Sequence, residues 1–226
     1  MTELEERLRP LLAPIAFNGG EYLRPWMTTS AHFQTCKVWL VGANPAKTFP
    51  ASLVGPFDDY IGALFNRHGK SIRELYDAIT GGRPSPTRWN LDRASAELAI
   101  HGIHDVLETN LNCYPTRMSA DLNDPTRREG RDRGEQIFSM MLETIQPQVV
   151  WLHGSGAQKK FRRRYLKTLP RMEQRWSWSM HESDGRLLVL TPSFAPPAFN
   201  SWTRSFDGAL AEVCAIIREW LGRPHL

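Results

Sequence analysis

The residues best placed to do chemistry gather where apolar runs stop. Val38, Trp39, Leu40 and Val41 carry no polar interruption, and the run ends in Gly42-Ala43-Asn44-Pro45. That pattern suits a strand buried on both faces of a parallel sheet. In open α/β sheets the ligand crevice lies beyond the carboxyl ends of the strands, so this turn brings bare backbone and the Asn44 carboxamide against a substrate. For these four residues alone the other reading is a plain Asn-Pro turn, in which Asn caps and Pro fixes φ. A second run, 105–109, also ends in asparagines, in Asn110-Leu111-Asn112-Cys113-Tyr114-Pro115. A third, 148–153, ends at His153 and opens through Gly154-Ser155-Gly156 into a basic helix. Small residues at a helix N-terminus expose free amides to an anion, so this turn either holds a phosphate or is a tight strand-to-helix connection. Lys159, Lys160, Arg162, Arg163, Arg164 and Lys167 follow it, as a phosphate footprint or as a solvated helix face.

These edges need a sheet to hold them. A fourth run, 186–190, leads into Thr191-Pro192-Ser193-Phe194. Helical spacing marks 3–13, 60–80, about 92–102, 130–145 and a closing helix with Leu210, Val213, Cys214, Ile217 and Leu221 on one face. The Gly/Pro-rich stretch 81–90 reads as a surface loop. Four strands separated by helices predict an α/β three-layer sandwich with a central four-stranded parallel sheet, in one domain spanning 1–226. The 226 residues are 41% hydrophobic, with 28 Lys and Arg against 24 Asp and Glu, the balance of an ordinary globule able to bury a core. No run approaches a membrane span, and the amphipathic N-terminus is unlike a signal peptide, so a cytoplasmic monomer is expected. Cys36, Cys113 and Cys214 are scattered without a CxxC pair, which argues against disulfides and a structural metal.

Taken together, GANP at 42–45, VGPF at 54–57, TNLNCYP at 109–115 and TPSFAPPAFN at 191–200 resemble the motifs of the uracil-DNA glycosylase superfamily, nearest its single-strand-selective and mismatch-specific branches. Phe57 follows Asn44 by 13 positions, the spacing of the superfamily's base-stacking phenylalanine. The resemblance implies that Asn44 holds the attacking water, Phe57 stacks on the extruded base and Asn110 reads its pairing edge. Ala43 and Ala46 would border the base. Ser155, Lys159, Lys160, Ser193, Phe194 and Asn200 would meet DNA, and no cofactor is implied.

Three departures matter. Thr191 stands where the superfamily usually has histidine; its hydroxyl still donates, but stabilises a developing anion less than imidazole does. His153 on the neighbouring strand either supplies that donor or is a histidine satisfied by backbone. Ala46 replaces the tyrosine that shuts C5-substituted pyrimidines out of strict uracil enzymes. Asp58, next to Asp59, either supplies the base that neutral Asn44 lacks or caps a helix. The expected function is a monofunctional DNA glycosylase acting on a C5-modified pyrimidine, hydroxymethylated or glucosylated as in some bacteriophage DNA, with a role in antiviral defence. Ordinary uracil repair and a non-catalytic nucleic-acid-binding module are the alternatives.

Overall fold

A computed structural model describes residues 2–16, 19–28, 32–67, 69, 71–171, 177–196 and 206–223. The elements run α1 (Glu3–Leu12), β1 (Glu21–Tyr22), β2 (Trp26–Met27), β3 (Val38–Gly42), β4 (Phe49–Pro50), α2 (Ala51–Val54), α3 (Phe57–Leu64), α4 (Ile72–Ile79), α5 (Pro86–Ile100) and β5 (Val106–Asn110). Then come α6 (Arg128–Ile145), β6 (Val149–His153), α7 (Ser155–Arg164), β7 (Ser179–Ser183), β8 (Arg186–Thr191) and α8 (Phe206–Leu221).

The main sheet has six strands in the order β2-β5-β3-β6-β8-β7. Its centre, β5-β3-β6-β8, is parallel, and β2 and β7 extend it antiparallel at the two edges. The expected four-stranded parallel sheet is therefore the middle of a larger one. Period-two alternation sorts each strand between the two faces. Trp39, Val41, Leu107, Val150, Leu152, Leu188 and Leu190 join the core shared with Leu8, Phe138 and Phe161 of α1, α6 and α7. Val38, Leu40, Val106, Trp151 and Val189 join the core shared with Leu98 and Val213 of α5 and α8. Helices thus cover both faces, in three layers.

Two helical boundaries differ from the sequence reading. The stretch 60–80 is two helices, because the chain turns at Asn66 (φ 50°) and α4 starts afresh on a Ser71/Glu74 capping box. The expected loop 81–90 is half helix: Ser85 caps the Arg88 amide at 3.1 Å and Pro86 sits in the first turn of α5. No helix among the described residues is long and apolar enough to cross a membrane.

Helix α6 is what presses the loop after β5 into place. A Cβ on Gly134 would lie 2.5 Å from Asn112 Oδ1 and 2.9 Å from the Tyr114 amide nitrogen, and one on Gly130 would lie 2.6 Å from the Tyr114 ring. Asn112 in turn donates from Nδ2 to the Arg131 carbonyl (2.9 Å) and accepts from the Tyr114 amide (3.0 Å). Gly134→Ala should displace backbone rather than a flexible tip and cost about 1–3 kcal/mol, read as a lowered urea midpoint at unchanged slope. A stability equal to that of the parent would show that α6 can retreat without cost.

Candidate active site

The last residues of the four parallel strands form a row. Asn110 pairs in register with Gly42, and His153 with Thr191. This row lies on the face covered by α5 and α8, and a cavity of about 600 Å³ opens over it, within the usual range for small-molecule sites. Gly42 is the low point of the row: a Cβ there would lie 2.5 Å from Asn110 Oδ1 and 3.0 Å from His153 Nε2. Both side chains lean into the space that the glycine leaves.

Beyond the strands, backbone bonds zip the two asparagine loops together. The amides of Leu111, Asn112 and Thr116 donate to the carbonyls of Gly42 (3.0 Å), Ala43 (3.2 Å) and Pro45 (2.9 Å). Asn44 is oriented inside that zipper. Its Nδ2 donates to Thr116 Oγ1 (2.8 Å) and to the Thr116 carbonyl (3.1 Å), and its Oδ1 accepts from the Ser119 hydroxyl. With the amide hydrogens spent, what Asn44 can still offer the cavity is a lone pair on Oδ1. Asn110 joins the ladder through its backbone, and its side chain makes no hydrogen bond to another described residue, so the carboxamide keeps both donor and acceptor.

His153 also lines the cavity. Its ring stacks on Phe194 at 4.7 Å, and Nδ1 is buried with no hydrogen-bond partner. Burial, aided by the Arg88 guanidinium, pushes its pKa down to about 4. The ring is neutral at physiological pH and presents one N–H and one lone pair.

Charges surround this neutral centre. Arg88, buried on α5, grips both carboxylate oxygens of Glu108 on β5, and its Nε donates to Asp92 at 3.0 Å. Burial alone would lower the Arg88 pKa, but the two carboxylates outweigh it and raise it. Arg24 lies over the rings of Phe49 (5.1 Å) and Tyr76 (4.7 Å) and donates to the Lys47 carbonyl at 3.0 Å. Burial lowers its pKa to about 10, which leaves it cationic at neutral pH. Trp26, Met27 and Tyr76 supply apolar wall.

A profile for the uracil DNA glycosylase superfamily matches residues 31–215. The chain belongs to that superfamily. No curated protein matches it. Membership points to DNA as the polymer bound and to glycosylase chemistry as the reaction class.

The expected superfamily residues fall into two groups. Ala43, Asn44, Ala46, Asn110, Ser155 and Ser193 line the cavity. Phe57 does not: Gly55 (φ 92°) and Pro56 turn the chain away, and the ring packs with Tyr22 (6.2 Å) and Tyr60 (6.3 Å) beneath the Arg9 guanidinium (5.1 Å). Asp58 is 83% exposed and paired with Arg9, so it is not a base for this cavity. Thr191 is fully buried, its hydroxyl accepting from Trp151 Nε1 at 2.9 Å. Phe194 is equally buried, packed on His153 and Trp151, and cannot meet DNA from there. Lys159 and Lys160 lie beyond the cavity-lining turn of α7; Lys160 borders a separate cleft of about 160 Å³ with Glu135 and Arg163. Asn200 lies outside the described residues. The three cysteines are buried and form no disulfide among the described residues.

Arg88, Glu108, Thr116 and Ser119 were not singled out from the sequence. Glu108 left a signal, a lone carboxylate inside an apolar strand, which has to find a cation. For His153, the folded pKa lies below the unfolded value near 6.5. Its contribution to stability is thus whole above pH 6.5 and is lost as pH falls toward 4. Imidazole resonances of the folded protein should titrate with a midpoint near 4; a midpoint above 6 would mean that the ring is solvated.

Proposed function

We propose that the protein extrudes a C5-enlarged pyrimidine nucleotide from DNA and hydrolyses its N-glycosidic bond, leaving an abasic site and using no cofactor. The observation that carries this reading is the pair of asparagines in one cavity beyond Gly42, one carboxamide oriented by Thr116 and Ser119 and the other unpartnered. Asn110 faces the pairing edge of the base. Asn44 accepts a hydrogen bond from the attacking water through Oδ1, which aims the oxygen at the anomeric carbon. Neutral His153 donates to the base as negative charge builds on it, the part that buried Thr191 leaves open. No carboxylate is needed to deprotonate the water before the bond breaks. In an oxocarbenium-like route the sugar becomes electrophilic first, and the proton leaves afterwards.

Ala46 supports the choice of base. It lines the cavity with no side chain beyond Cβ, next to Lys47, so a substituent on C5 meets space and polar groups rather than a wall. Such pyrimidines occur in some bacteriophage genomes, and excising them would serve antiviral defence. The deciding experiment compares excision from oligonucleotides carrying uracil, 5-hydroxymethyluracil, 5-hydroxymethylcytosine or its glucosylated form. Preference for plain uracil rejects the C5 assignment, and the absence of any excision rejects the reaction. Ala46→Tyr should abolish activity on the enlarged bases selectively.

Thr116 gives a second test. Thr116→Val removes the hydroxyl that fixes the Asn44 amide and should lower kcat roughly a hundredfold with little change in KM, while Thr116→Ser retains activity. Equal losses in both variants would assign Thr116 to packing alone.

A further inference from the structure

The floor of the cavity is more selective than Asn110 by itself. A carboxamide can pair with the uracil edge in one orientation and with the cytosine edge in the other. Glu108 lies two residues before Asn110 on β5, on the same face of the sheet and about 6.6 Å deeper along the strand, and it lines the same cavity.

What Glu108 offers there is set by its partner. Both its oxygens accept from Arg88. A carboxylate has about four lone-pair sites, so roughly two remain, and the side chain is 15% exposed against 5% for Arg88. Arg88 offers nothing in return. Beyond its two bonds to Glu108, Nε donates to Asp92 (3.0 Å), Nη1 to Met27 Sδ (3.2 Å), and Nη2 lies 2.8 Å from Asp92 Oδ1, so every nitrogen of the guanidinium is engaged within the protein. Asp92 is itself fixed by both terminal nitrogens of Arg73, at 2.6 and 3.0 Å, so the arrangement does not swing aside to free a donor. The floor therefore presents the acceptors of Glu108 and no donor from Arg88; Arg24, which also lines the cavity, is turned onto the Phe49 and Tyr76 rings and the Lys47 carbonyl.

We infer that Glu108 selects the base at its C4 position, admitting a pyrimidine with an exocyclic amine and rejecting one with a carbonyl there. In the accepted base, Asn110 donates to N3 and takes one amine hydrogen, and Glu108 takes the other. In a uracil-type base the C4 oxygen faces a carboxylate with no hydrogen between them. The substrate class is thus a C5-enlarged cytosine, an inference that rests on the glycosylase reading for what happens to the base after it is bound.

The test separates recognition from excision. Duplexes carrying 5-hydroxymethylcytosine or 5-hydroxymethyluracil differ at the pairing edge but share the C5 group. A 2′-fluoroarabino sugar at that nucleotide disfavours the oxocarbenium state, so equilibrium binding can be measured on the intact protein. The cytosine form should bind roughly tenfold tighter or more; equal binding, or tighter binding of the uracil form, overturns the inference. Glu108→Gln still gives Arg88 an oxygen while turning an amide donor to the cavity, so the preference should collapse or reverse. A folded Glu108→Gln protein with the parental preference also overturns it. If that variant fails to fold, the binding ratio of the parent protein decides alone. Failure to excise either base from ordinary duplexes counts against the glycosylase reading, and the binding ratio then still decides the role of Glu108.

Discussion

The absence of a side chain on Gly42 is the constraint to which the rest of the site answers. A Cβ there would overlap Asn110 Oδ1 and press on the His153 ring, so any other residue would drive apart the groups that meet over β3. Gly42 ends the strand flanked on both sides within the parallel sheet, where backbone position is set by ladders on two sides. The glycine thus turns the rigidity of the sheet into a defined separation between two side chains. A loop could not hold that separation as closely.

Around this point, rigidity is distributed unevenly. Asn44 is fixed by side-chain bonds inside a backbone zipper, and the loop that supplies those bonds is pressed from below by the two glycines of α6. His153 is held instead by stacking on Phe194, whose carbonyl is tied to Asn90 Nδ2 of α5 at 2.8 Å. One side of the cavity is therefore built from hydrogen bonds and the other from packed rings. The neutral centre follows from this. With Arg88 close by and little water, a second cation at position 153 would be costly.

Much of this was legible in the residues. Apolar runs marked all four parallel strands, because strands buried on both faces have little polar alternation to blur them. The edge strands were not legible: β2 is two residues long and β7, Ser-Met-His-Glu-Ser, is mostly polar and half covered. Asn44 and Asn110 are legible as residues of the cavity lining because they sit where strands end. Phe57 and Asp58 lie off the cavity lining, and a fixed spacing in sequence says nothing about which way Gly55 and Pro56 send the chain. Arg88 was hidden in a stretch whose Gly and Pro content reads as loop, although Ser85 and Pro86 carry a helix-start signal. The burial of Phe194 and Thr191 depends on a neighbouring strand and on a helix far away in sequence, and no local pattern reports either.

The chain of charges from Asp77 through Arg73, Asp92 and Arg88 to Glu108 has a consequence for how such a site changes over generations. Arg88 is buried and Glu108 only 15% exposed, and removing that carboxylate leaves a guanidinium short of a partner in low dielectric, which costs far more than an exposed pair is worth. A lineage cannot cheaply alter position 108 while position 88 stays as it is. Routes to a different floor run through paired replacements or through a destabilised intermediate. Arg88 and Glu108 should therefore drift together, whereas Arg73, Asp77 and Asp92, each about a third exposed, are freer to vary.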